Sequence, residues 1–206
     1  MSKLKDEVAA VVEKALENSM SYERFTALME QLVKENAATG PEQSEALANY
    51  TALNQKRMKR LDKTTKVPED IAAKIADITK HSTWLVLTES WCGDAAQTMP
   101  VLKKLAALND RISYRVALRD ENVELMQHFL TNGGMSIPKL IVLDDVTGEV
   151  VGDWGPRPSK ATALAAAYKE EHGSLTAAFK QELQVWYNKD KGQNTITDIM
   201  TLLALE

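Results

Sequence analysis

The chain has 206 residues, 44% apolar and 26% charged, with a formal net charge of −4. That composition is ordinary for a globular protein, and the length suits one well-packed domain with helical additions or two small domains. Acids and bases are interspersed without a basic stripe or tail, so no nucleic-acid partner is expected. No apolar stretch approaches the about 20 residues of a membrane span, so no membrane partner is expected either. The charged N-terminus, Met1-Ser2-Lys3-Leu4-Lys5-Asp6, lacks the apolar core and cleavage site of a signal peptide. With a single cysteine, the reducing cytoplasm is the expected compartment.

Residues 1–80 read as a helical extension. Leu4, Val8, Val11, Val12 and Leu16 recur at helical spacing. Ser21 is the expected N-cap of a second helix, with Glu23 in its first turn and Met20 and Phe25 spaced for a hydrophobic staple. Phe25, Leu28, Met29 and Leu32 give that helix its apolar face. Gly40-Pro41 breaks the pattern, and a third helix is predicted over 42–61 with Leu47, Tyr50, Leu53 and Leu61 inward. Its basic end (Lys56, Arg57, Lys59, Arg60, Lys63) reads most simply as a solvated helix terminus. Pro68 opens a fourth helix carrying Ile71, Ile75 and Ile78.

The texture changes at His81. Trp84-Leu85-Val86-Leu87 reads as a buried strand, followed by a helix over 92–108 that contains Pro100 and should kink there. Residues 112–118 alternate as a second strand, 121–130 form a short helix stopped by Asn132-Gly133-Gly134, and 139–143 and 149–152 form a hairpin. Ser159 is the expected cap of a helix to about Tyr168, and helices over 174–188 and 194–205 close the chain. The order β-α-β-α-β-β-α over 81–170 predicts an α/β core with a mixed four-stranded sheet. Right-handed crossovers would make its first three strands parallel. The terminal helices (1–80 and 171–206) are expected to pack on this core, each showing one apolar stripe.

The only cysteine, Cys92, lies at the strand-to-helix junction in Ser90-Trp91-Cys92-Gly93-Asp94-Ala95. The positive end of the helix dipole and free backbone N–H groups favour a thiolate there. Without a second cysteine no internal disulfide can form. His81, His128 and His172 are scattered, so neither a metal site nor a Ser-His-Asp triad is expected.

Trp91-Cys92-Gly93-Asp94-Ala95, Pro100 inside the following helix and Ser136-Ile137-Pro138 before the third strand together resemble the thioredoxin family over roughly residues 80–170. Leu118-Arg119-Asp120-Glu121-Asn122 and Trp154-Gly155-Pro156-Arg157-Pro158 resemble a bacterial branch with helices added at both ends. The resemblance implies a thioredoxin-like fold, Cys92 as nucleophile, Trp91 shielding the thiol, and a cis Ile137-Pro138 bond that leaves the Ile137 backbone free for an extended substrate. Gly93 and Asp94 complete the implied substrate-binding set. Asp94 reads first as a first-turn carboxylate suited to the helix dipole, and second as a proton relay. Arg157 reads first as part of a rigid connector and second as an arginine supplied to the site.

Two family features are replaced. Ala95 stands where the resolving cysteine would be, and Val86 where thioredoxins keep a buried acid six residues before the nucleophile. The dithiol machinery is therefore absent as a unit. The expected function is monothiol disulfide exchange on a protein or low-molecular-weight disulfide, released by an external thiol, with no cofactor or metal required. The rival reading is a non-catalytic peptide- or protein-binding module of the same fold. The two differ in whether the thiol pKa lies below or above its ordinary value.

Overall fold

The computed structural model describes residues 2–204, with side chains described over 7–204. Four short apolar segments make one sheet: β1 Ser82–Thr88, β2 Ile112–Leu118, β3 Lys139–Asp144 and β4 Val150–Trp154, in the order β2-β1-β3-β4. The helices before it are α1 Ser2–Glu17, α2 Tyr22–Glu35, α3 Glu45–Thr64 and α4 Glu69–Ala76. α5 Gly93–Ala106 and α6 Val123–Gln127 lie between strands, and α7 Ser159–His172, α8 Ala177–Asp190 and α9 Gln193–Leu202 follow it. Trp84, Leu85, Val86 and Leu87 of β1 are all fully buried. Successive side chains on a strand face opposite ways, so β1 is covered on both faces.

β1 runs parallel to β2, with Val86 opposite Val116. β3 runs antiparallel to β1, with Val86 opposite Leu140, and antiparallel to β4. The expectation of three parallel strands is therefore corrected. The connection after β2 holds a 3-10 turn at Arg119–Glu121 and the five-residue α6, not the helix predicted over 121–130. A helix of that length spans about 7.5 Å, too little to carry the chain back along a strand of about 20 Å. β3 consequently starts at the edge where β1 and β2 end, and this brings Ile137 and Pro138 beside Cys92.

Helices from both ends enter the sheet's core. Val11, Val12 and Ala15 of α1, Phe25 and Met29 of α2, Ile75 of α4 and Ile196, Ile199 and Met200 of α9 share one apolar cluster with the strands. The Leu4 side chain and the expected helix end at 205 lie outside the described residues. Ser21 caps α2 as predicted, accepting from the Arg24 N–H. Just before it, Met20 and Val116 exchange two backbone hydrogen bonds of 2.8 Å, and Arg115 binds the Ser19 hydroxyl and carbonyl. The α1–α2 link thereby pairs with the outer side of β2, which would otherwise be an open edge.

α3 differs most from its predicted form. Ser44, not the Gly40-Pro41 break, caps it, and Tyr50 and Leu53 are exposed at 51% and 43%. Its inward face is Ala48, Thr51, Asn54, Met58 and Leu61. The polar members face the turn between β1 and α5. Thr51 Oγ1 lies 2.8 Å from Ser90 Oγ, and Asn54 Nδ2 donates to the Ser90 carbonyl at 3.0 Å. From the loop before α3, the Thr39 N–H donates to Ser90 Oγ and Thr39 Oγ1 accepts from the Ser90 N–H. The turn that carries Cys92 is thus clamped on every polar atom of Ser90.

At the far end, Ser159 is the first residue of α7, not its cap. Asp198 of α9 takes that role, accepting from the Ser159 N–H at 2.7 Å.

Asn54→Ala removes the side-chain donor to the Ser90 carbonyl in a buried place. It should destabilise the fold by about 1–3 kcal/mol, read as a lower denaturant midpoint at unchanged slope. No loss of midpoint would mean that the clamp contributes nothing.

Candidate functional site

Cys92 is the N-cap of α5. Its sulfur accepts from the Ala95 N–H at 3.4 Å and donates to the Ile137 carbonyl at 3.3 Å. The Ile137-Pro138 bond is cis, as the resemblance implies, and so is Gly155-Pro156. A Cβ at Gly155 would collide with the Pro138 carbonyl, and φ there is +118°, so that position requires glycine. The strand-to-helix connector is thereby locked against the loop that faces the thiol.

That lock sets Arg157 at the site. Its Nη2 pairs with Asp94 Oδ2 at 2.8 Å, and the Tyr187 hydroxyl of α8 donates to Asp94 Oδ1 at 3.0 Å. The connector reading of the Trp154–Pro158 segment was therefore incomplete: it is rigid, and it also delivers an arginine. Asp94 is more than a dipole partner, with its side chain 12% exposed between two donors. Gln97 of α5 donates to Gln184 of α8 at 2.9 Å, and Arg60 donates to Asn188 of α8 at 2.7 Å. α8 roofs the start of α5 through polar bonds, while its apolar Phe179, Leu183 and Tyr187 pack with Ala161 and Ala165 of α7 in a separate small cluster.

Arg57 also reaches the site. A Cβ at Gly93 would sit 3.6 Å from Arg57 Nη1 and 3.6 Å from Gln184 Nε2. The basic end of α3 is therefore not wholly a solvated terminus. On the other side, Trp91 is half-buried with the Arg119 guanidinium 5.1 Å from its ring centroid, and Arg119 is paired with Asp120. Asp120 in turn donates its N–H to Glu89 Oε1. Trp91, Cys92, Gly93, Asp94, Ile137 and Pro138 thus gather at one sheet edge. Tyr187, Gln184, Thr51 and Asn54 join them unannounced. For the last two a signal existed, polar residues at helical spacing with Ala48 and Met58; for Tyr187 there was none.

A thioredoxin family model matches residues 40–169. The chain belongs to the thioredoxin family. A comparison with curated proteins finds no match. Among solved structures, a protein of unknown function from Pseudomonas aeruginosa is similar at a TM-score of 0.63 and 16% identity, over 92% of this chain and 95% of that one. An HIV epitope-scaffold is similar at a TM-score of 0.56 and 16% identity, over 90% and 98%. Both likenesses concern the fold.

Against the thioredoxin pattern, Val86 is fully buried where the family's acid would lie, and Asp94 is the carboxylate next to the thiol instead. The expectation of a thiolate-favouring site is overturned. Cys92 is 7% exposed, and burial pushes its thiol up to about 12, with the Asp94 charge adding to the rise. The N–H groups of Ala95 and Asp94 and the Arg157 charge pull the other way and are outweighed. Desolvation wins because the thiolate would leave water almost completely, whereas one sulfur-directed N–H bond and a helix terminus return only part of its hydration. Burial likewise raises Asp94 above the ordinary carboxylate range, opposed by Arg157 and Tyr187.

The folded thiol keeps its proton to about pH 12, while the unfolded thiol loses it near its ordinary value of about 9. Between those values the native state binds more protons, so this stabilisation is complete below about 9 and is lost as pH rises to about 12. Alkylation of native Cys92 should rise with pH up to that range without a plateau near neutrality, and a midpoint below the ordinary thiol value would overturn the closed site. Asp94→Asn removes the nearest opposing charge and frees Arg157, so it should speed alkylation at fixed pH by roughly tenfold for each pKa unit regained. An unchanged or slower rate would show that Asp94 does not oppose the thiolate.

Proposed function

We propose that this chain is a cytoplasmic monothiol thiol–disulfide exchange protein with Cys92 as its nucleophile. The observation that supports this most is the position of one sulfur between the Ala95 N–H at a helix start and the Ile137 carbonyl just before Pro138. Family membership supports thiol–disulfide chemistry as the general role. In exchange, the Cys92 thiol loses its proton to solvent and the thiolate attacks one sulfur of a disulfide. A mixed disulfide forms, and the other sulfur leaves as a thiolate. An external low-molecular-weight thiol then attacks the mixed disulfide, regenerating Cys92 and carrying the substrate sulfur away. Ala95 offers no internal route for that second step. Trp91, Gly93, Asp94, Ile137 and Pro138 are the residues that line the approach of the substrate sulfur. The closed resting thiol makes the reaction slow at neutral pH, because the reactive form is a small fraction.

The rival reading is a binding module of the same fold, and the burial of Cys92 is the observation that favours it. The two separate on covalent chemistry. Native protein incubated with oxidised glutathione should gain one mixed-disulfide adduct by mass, faster at higher pH, and added thiol should release it. Cys92→Ser should gain none. Native protein that stays unmodified while the unfolded chain reacts to completion would sink exchange and leave the binding module.

A further inference from the structure

We propose that the substrate disulfide carries an anionic group, received by Arg57 beside Gly93, the residue after the thiol. The inference rests on the exchange reading and names its substrate class. Arg57 Nη1 donates to Asn54 Oδ1, a neutral acceptor, at 3.0 Å, and no carboxylate lies within ion-pair distance of it among the described residues. It is half-buried against Gly93, the residue after Cys92. Burial lowers its pKa, and the one carboxylate whose charge reaches it, Asp94, is already paired with Arg157, so the fold holds a partly desolvated cation without a counter-charge of its own. Of the other cations around the site, Arg157 is matched by Asp94 and Arg119 by Asp120, while Arg60, bonded to the neutral Asn188, adds like charge beside Arg57. Arg157 also keeps a buried Nε with no partner. Positive charge therefore remains over beside Gly93, the first residue of α5 and the neighbour of Cys92. An anion there would gain a partner and meet no like charge except the already paired Asp94.

The reaction itself is the exchange described above, with an external thiol as reductant, and the charge changes only which disulfide is accepted.

The test uses the full chain and three probes: oxidised glutathione (anionic), cystamine (cationic) and hydroxyethyl disulfide (neutral). Each rate is normalised to the unfolded chain. Ratios between probes cancel any change in thiolate fraction, because all three meet the same sulfur. Wild type should favour the anionic over the cationic probe by on the order of tenfold. Arg57→Gln should remove most of that preference, Arg57→Lys should keep part of it, and raised salt should shrink it in wild type. A wild-type ratio near one, or a ratio that survives both Arg57→Gln and salt, would overturn the inference while leaving exchange at Cys92 intact. If no probe reacts with native protein, both readings fall. The salt series on wild type reports even if Arg57→Gln does not fold.

Discussion

The turn between β1 and α5 must be buried and must also be polar. It ends a strand covered on both faces and starts a helix whose first N–H groups have no partners within it. Ser90 concentrates this problem, and the structure answers it from outside the sheet: Thr39, Thr51 and Asn54 bind its N–H, hydroxyl and carbonyl. Buried polar groups left unmet cost far more than a met one returns. The helices before the sheet therefore hold the cysteine-bearing turn in place. Gly40 serves the same end. Its φ of +90° and the approach of Asp120 Oδ2, 2.6 Å from where a Cβ would be, let the 39–40 loop lie flat against the turn.

Electrostatics at Cys92 follows from that enclosure. A helix N-terminus facing water would lower a thiol's pKa. Here α3, α8 and the loop before β3 close around it, and desolvation exceeds the help of the helix. Asp94 lies so near that its charge adds to the burden, and Arg157 and Tyr187 stabilise Asp94 more directly than they help the sulfur.

Local periodicity made most elements legible: the four strands, the Ser21 cap and the placing of Cys92 before α5 follow from apolar spacing and punctuation. The direction of β3 did not, because it depends on the length of α6, and a helix boundary is set by the tertiary contacts that end it. The inward face of α3 was misread for a related reason. Tyr50 and Leu53 mark an apolar stripe, yet Thr51 and Asn54 turn inward because Ser90 requires polar partners. Arg157 and Arg57 were visible as charges, but their common address at Asp94 and Gly93 exists only once the connector and α3 are folded against α5. Tyr187 comes from a helix whose sequence says nothing of a site 93 residues away.

The Cys92 sulfur is at once the acceptor that caps α5 and a donor to the Ile137 carbonyl. Any group joined to it displaces the proton that makes the second bond and must be housed where only 7% of the residue meets solvent. A modified chain is therefore raised in free energy above the free-thiol chain by whatever those contacts contribute. In a chain with one cysteine, the native site thus favours the bare thiol over any adduct, and the fold itself sets how readily a group once joined to that sulfur is given up.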